Sequence, residues 1–127
     1  FGLTVADVDA MIAVRGDRVL APFQNRRFEQ ALAVIREVIA SGVLGRIVHI
    51  RTAWHGFGRR WDWQTLRACA GGQLNNNLPH PVDQMMTILE DLGLESPEEL
   101  EVWSDLRRVL AVCDAEDHVR LTLRAPG

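Results

Sequence analysis

Apolar residues recur along the chain with two periods, and the changes between them mark out the elements. Val5, Val8, Met11 and Ile12 follow at helical spacing behind Thr4-Val5-Ala6-Asp7. That tetrapeptide is a hydroxyl N-cap with a carboxylate three residues later, so a helix is predicted at about 5–14, ended by Gly16-Asp17. Val19, Ala21 and Phe23 then alternate weakly and predict a short strand over 18–24, with Pro22 placing it at an edge or a bulge. Phe28, Leu32, Ile35 and Ile39, joined by Ala31 and Val38, form the strongest apolar stripe of the chain and predict a helix at about 28–41. Gly42 and Gly45 turn the chain after it. From Arg46 to His55 the period becomes two: Val48, Ile50, Thr52 and Trp54 face one way, and Ile47, His49, Arg51 and Ala53 the other, which predicts a strand. Residues 56–70 are irregular and dense in arginine and tryptophan, as in a lid or a site-lining loop. Val82, Met85, Met86, Leu89 and Leu92 predict a helix at about 79–92 that Gly93 stops, and strands follow at about 100–110 and 116–124. Asp114-Ala115-Glu116-Asp117 is the predicted turn that makes those strands a hairpin. The order of elements predicts an α+β domain, with helices on one face of an open, mainly antiparallel sheet.

Chemistry concentrates between the loop and the third helix, in Ala70-Gly71-Gly72-Gln73-Leu74-Asn75-Asn76-Asn77-Leu78-Pro79-His80-Pro81-Val82-Asp83. Two glycines permit close backbone approach, and three asparagines supply amide donors and acceptors. Pro79 suits the first turn of a helix, and His80 and Asp83 lie three apart on roughly one face of it. A polar site and a capped helix carrying a hydrogen-bonded histidine both fit this pattern.

Composition narrows the classes. The 127 residues suit one ordinary domain, with 47% hydrophobic and 24% charged residues. A net charge of −3 and a pI near 5.8 argue against nucleic acid as an electrostatic partner. No apolar run approaches the roughly 18 residues of a membrane span, so neither a membrane nor a nucleic acid is expected, and a cytoplasmic setting is. Cys69 and Cys113 lack the spacing of a zinc site, so no metal is expected and reduced thiols are. All 14 basic residues are arginine; the chain has no lysine and no tyrosine. Its ends, Phe1-Gly2-Leu3 and Arg124-Ala125-Pro126-Gly127, read as those of a piece of a longer polypeptide.

Taken in order, Asn25-Arg26-Arg27-Phe28, the Gly42 to Gly45 turn, Asp62-Trp63 and Gly71 through Asp83 resemble the second domain of the glucose–fructose oxidoreductase and inositol dehydrogenase (Gfo/Idh/MocA) family. The resemblance covers nearly the whole chain. It implies that residues 1–16 are the tail of a dinucleotide-binding domain that is missing here. Residues 17–127 are then a substrate-binding and oligomerisation domain, cut at its C-terminal end. The cofactor implied is NAD or NADP, bound mainly by the missing domain. The family's catalytic lysine, which belongs to a Glu-Lys-Pro motif, has no counterpart in a chain without lysine, so the chain alone is expected to be inactive.

The resemblance also implies roles. His80 matches the histidine beside the substrate carbinol, its acid–base partner, since a neutral imidazole accepts a proton as hydride leaves. Asn76 matches an aspartate four residues before that histidine, and Leu78 replaces a glycine. Asparagine still bonds hydroxyls but takes no charge. His80 and Asn76 are thus the expected catalytic pair, with Arg26, Asn77 and Trp63 as substrate contacts. Trp61 and His55 are further candidates for an apolar wall, with core packing as the alternative for the tryptophans, and Arg27 pairs either with substrate or with local acids. The implied function is the substrate side of an NAD(P)-dependent oxidoreductase acting on a sugar, polyol or related hydroxy compound. Two alternatives stand beside it: an NAD-dependent glycosidase of the same family, and a non-catalytic binding or dimerisation module. The expected partners are a small-molecule substrate and a second copy of the chain, met through the open sheet.

Overall fold

The computed structural model describes residues 2–126; the expected domain limits at Phe1 and Gly127 lie outside them. Helix α1 spans Val5–Val14, α2 Gln30–Ala40, α3 Gln73–Asn76 and α4 Pro79–Asp91, and strands β1 (Glu101–Arg107) and β2 (His118–Arg124) close the chain. Short 3-10 turns occupy Asn25–Phe28, Trp63–Thr65, Arg67–Cys69 and Pro97–Glu99.

Helix α1 starts where its capping box predicts. The Thr4 hydroxyl accepts from the Asp7 amide at 3.2 Å, and the Asp7 carboxylate accepts from the Thr4 and Leu3 amides at 2.8 and 3.0 Å. These bonds hold the Asp7 carboxyl below its ordinary pKa, the Thr4 bond contributing most. Gly42, Gly45 and Gly93 take positive φ of 71°, 62° and 99° where the chain turns behind α2 and α4, a conformation that glycine enters without a Cβ clash.

Helices α2 and α4 pack together and are joined by one forked ion pair, while a second ties the 25–28 turn ahead of α2 to α4. Arg36 donates from Nε and Nη2 to Asp91 at 2.5 and 2.8 Å, and Arg27 donates through the same fork to Asp83, its Nε at 3.0 Å. Each pair lies at the surface, where solvent screens it, so its value lies in fixing how these segments sit on one another. Hydrogen bonding to Asp91 raises the Arg36 pKa, and Asp83 does the same for Arg27. Among the described residues, buried apolar side chains are few: Leu32 on α2, Pro81 and Ile88 on α4, and Ala115 in the loop between the strands. An apolar groove of about 280 Å³ runs beside them, lined by Val34, Ile35, Val38, Leu44, Ile47 and Ile88 among others.

Strands β1 and β2 pair antiparallel from Glu101↔Arg124 to Arg107↔His118. One face of this open sheet sets Glu101 against Arg124, Trp103 against Thr122 and Asp105 against Arg120; the other carries Val102, Leu106, Val119, Leu121 and Leu123. Opposed charges across a pair favour this register. The α+β class with an open antiparallel sheet is therefore as expected, but two of the expected strands are absent. Residues 18–24 and 46–55 run without ladder bonds. Alternation supplies two faces and no partner, and the two-stranded sheet is completed without either segment. Val19 and Val48 consequently stay 90% and 85% exposed.

The connection between the strands is longer than the four-residue turn expected. Residues 108–117 form a loop organised by Asp117, whose Oδ1 accepts from the Val109 amide at 2.7 Å while Oδ2 accepts from Leu110 and Ala111 at 2.6 Å each. Burial raises the Asp117 pKa, but these backbone donors outweigh it and hold the carboxyl below its ordinary value. A carboxyl whose pKa is depressed by folding stabilises the fold above its unfolded pKa, and that contribution is lost as pH falls through the folded one. Asp117→Asn is therefore expected to be less stable than the wild type at neutral pH, with the gap narrowing in acid below the ordinary value of 3.8. Urea unfolding midpoints measured at both pH values check this.

Candidate active site

The loop 108–117 matters because it builds the turn in front of α3. The Ala115 amide donates to the Thr65 carbonyl at 3.1 Å, and Asp114 Oδ1 accepts from the Arg67 amide at 2.9 Å. Glu116 is buried; its carbonyl accepts from the Gln73 amide at 3.1 Å and its Oε1 from the Leu74 amide at 2.9 Å. A carboxylate on the first amides of a helix satisfies donors that have no partner within it.

Both glycines ahead of α3 are required by this packing. A Cβ on Gly71 would lie 2.5 Å from the Gln64 carbonyl oxygen and 2.7 Å from that of Leu66. Gly72 has φ +98°, and a Cβ there would come within 2.6 Å of the Glu116 carboxyl carbon. A non-glycine residue forced into such a backbone region costs about 1–3 kcal/mol before that collision is counted.

The asparagines behind the glycines hold one another's surroundings in place. Asn76 donates its side-chain amide to Gln64 Oε1, which also accepts from Arg60 Nη1. Asn77 donates to Gln73 Oε1 at 2.7 Å. Pro79 then opens α4, as its locked φ allows, and His80 follows in the first turn.

His80 is the polar centre of the region. Its Nδ1 is buried and has no hydrogen-bond partner among the described residues. Its ring stacks on Trp54, with centroids 6.4 Å apart and planes at 25°. The Arg26 guanidinium lies over the same indole, 4.7 Å from the centroid. Aromatic stacking of this kind is worth about 0.5–1.5 kcal/mol beyond burial, and an exposed cation–π contact about 0.5–1 kcal/mol. Arg26 is further held by Glu29 at 2.6 Å, and Gln84 on α4 donates to Glu29 Oε2 at 3.2 Å and to the Arg26 carbonyl at 2.9 Å.

Of the residues singled out in the sequence, the structure therefore gathers His80 and Arg26 about one indole. Asn76 and Asn77 lie one turn away, bonded to Gln64 and Gln73. Trp63 stands in the 63–65 turn, 51% exposed, with no aromatic or cation partner among the described residues; Trp61 is 75% exposed and His55 is exposed. Arg27 bonds Asp83, so it ties the 25–28 turn to α4. Two contributors escaped the sequence reading. Trp54 was hidden in an expected strand face, and Glu116 in an expected turn. A lone aromatic and an acid in a turn give no local signal of contacts made across the fold. Among the described residues, no three His, Cys, Asp or Glu side chains cluster as metal ligands, and no helix is long and apolar enough to cross a membrane. Both cysteines are free thiols.

The α+β domain thus sets a buried histidine nitrogen behind a glycine turn and an amide cluster. A family model described as the GFO/IDH/MocA C-terminal domain matches residues 32–127, from the first turn of α2 onward and including Trp54, the glycine turn and His80, and the chain belongs to that family. No curated protein and no solved structure matches the chain.

Proposed function

We propose that this domain is the substrate side of an NAD(P)-dependent oxidoreductase that acts on a sugar, polyol or related hydroxy compound, with His80 moving the proton. Hydride would pass between the nicotinamide and a substrate carbon, while the imidazole accepts the hydroxyl proton on oxidation and returns it on reduction. One observation carries this most: the buried, unpartnered Nδ1 of His80. Buried polar atoms in folded proteins are nearly all hydrogen-bonded, and an exception calls for a functional or structural reason. With Nδ1 enclosed, Nε2 is the nitrogen left for a substrate hydroxyl. Family membership supports the oxidoreductase class; the choice of substrate rests on the amides of Asn76 and Asn77 and the guanidinium of Arg26, which suit hydroxyl groups.

The dinucleotide is held, on this proposal, mainly by a domain outside these 127 residues. The glycine turn at 71–72 is no phosphate cradle: Glu116 fills it, and a carboxylate there would repel a pyrophosphate. The test is a screen of sugars and polyols for nicotinamide reduction, run on the chain alone and on the protein in which a dinucleotide-binding domain precedes it. Turnover only in the latter supports the proposal, whereas turnover by residues 1–127 alone contradicts it. Product analysis then separates net oxidation from glycosidic cleavage. Binding without turnover in the longer protein would favour a binding module, for which the uncharged Asn76 is already suited.

A further inference from the structure

We propose that Trp54 is the positioning residue for His80, doing by ring stacking what a hydrogen-bonded carboxylate does for other acid–base histidines. An acid–base imidazole needs a third group to fix its plane. In this chain that group is not found through hydrogen bonding: Nδ1 has no partner among the described residues, and Asn76, the residue expected to work with His80, gives its amide to Gln64. The contact that the His80 ring does make is with the Trp54 indole, at 6.4 Å and 25°.

Trp54 in turn is not held by backbone. It lies in the extended segment 46–55, which has no ladder bonds, and is 45% exposed. What holds it is a chain of side chains that leaves α4 and returns to it. Gln84 bonds Glu29, Glu29 bonds Arg26, Arg26 sits over Trp54, and Trp54 stacks on His80. Gln84 and His80 are four residues apart on one helix, so both ends of this chain share a face of α4. The helix thereby sets both the histidine and the anchor that orients it. Because Glu29 pairs with Arg26, the guanidinium can lie against the indole without leaving an unpaired cation in the site.

The inference rests on the reading of His80 as the proton-moving group, and its test is separable from the test of that reading. The His80 ring protons are followed by NMR in the 127-residue chain, with histidine labelled on carbon and nitrogen. In the wild type the indole ring current displaces them from the positions of the exposed His55. Trp54→Leu is expected to move them to those positions, Trp54→Phe to retain most of the displacement, and Arg26→Met to lose part of it. Arg26 is only half-buried, so its variant keeps the test readable if Trp54→Leu fails to fold. In the longer, cofactor-binding protein the same order is expected in kcat, with KM for the dinucleotide unchanged and rescue by Phe. Unmoved His80 resonances in both Trp54→Leu and Arg26→Met would overturn the positioning role. Displaced resonances together with full turnover by His80→Ala would leave the contact standing and remove its catalytic meaning, which also overturns the proposal.

Discussion

Replacing His80 by alanine, in the protein that joins this domain to a dinucleotide-binding domain, is expected to lower kcat by about 10²–10⁴-fold, the usual contribution of a positioned acid–base group. Dinucleotide affinity is expected to stay within a factor of two or so, since uniform binding and chemistry separate in such variants. The expectation follows from where the ring sits. His80 stands in the first turn of α4 behind Pro79, its Nδ1 enclosed and its plane held against Trp54. Removing the imidazole would take away the proposed proton acceptor but leaves the amides of Asn76 and Asn77 with their own partners, Gln64 and Gln73. Substrate binding should therefore weaken less than turnover. Steady-state kinetics beside a fluorescence titration of the reduced dinucleotide measures both. Unchanged kcat would remove His80 from the chemistry.

Leu32→Ala is expected to carry the largest stability cost of any single apolar truncation, about 2–5 kcal/mol. Leu32 is 3% exposed on α2, and among the described residues the other buried apolar side chains are Ile88 and Pro81 on α4 and Ala115. A domain with so few buried apolar groups has little to spare within a typical stability of about 5–15 kcal/mol. Val19→Ala, at a side chain 90% exposed, should change stability by no more than about 0.5 kcal/mol. Urea denaturation followed by far-UV circular dichroism compares the two. Equal midpoints would mean that α4 is held to α2 and the 25–28 turn by the Arg36–Asp91 and Arg27–Asp83 pairs instead of by packing.

Helices α1, α2 and α4 were legible in the sequence because their signals are local, whereas the single turn of α3 was not expected. Thr4 and Asp7 cap α1 three residues apart, Pro79 opens α4, and Gly42, Gly45 and Gly93 sit where positive φ is needed. The hairpin was legible because Val119, Leu121 and Leu123 alternate with His118, Arg120, Thr122 and Arg124 beside a second such run. Alternation misled at 18–24 and 46–55, because a period of two describes faces and carries no information about a neighbouring edge. The site was legible only in its local part, from Gly71 to His80. Its remaining contacts join distant positions: Asp114 reaches the Arg67 amide across 47 residues and Glu116 the Leu74 amide across 42. Trp54 reaches His80 in the same way. No spacing rule relates such residues, so of the acids expected to mark a tight turn Asp114 holds the Arg67–Cys69 turn and Glu116 caps α3, and an aromatic assigned to a strand face lies beside the histidine.

The central claim is that a substrate hydroxyl meets His80. It is tested most directly by a crystal structure of the cofactor-bearing protein with reduced dinucleotide and a polyol bound. The predicted result is a carbinol oxygen within hydrogen-bond reach of His80 Nε2, about 2.6–3.2 Å away, with Trp54 still stacked on the imidazole. A polyol bound elsewhere, with His80 touching only Trp54, would contradict it.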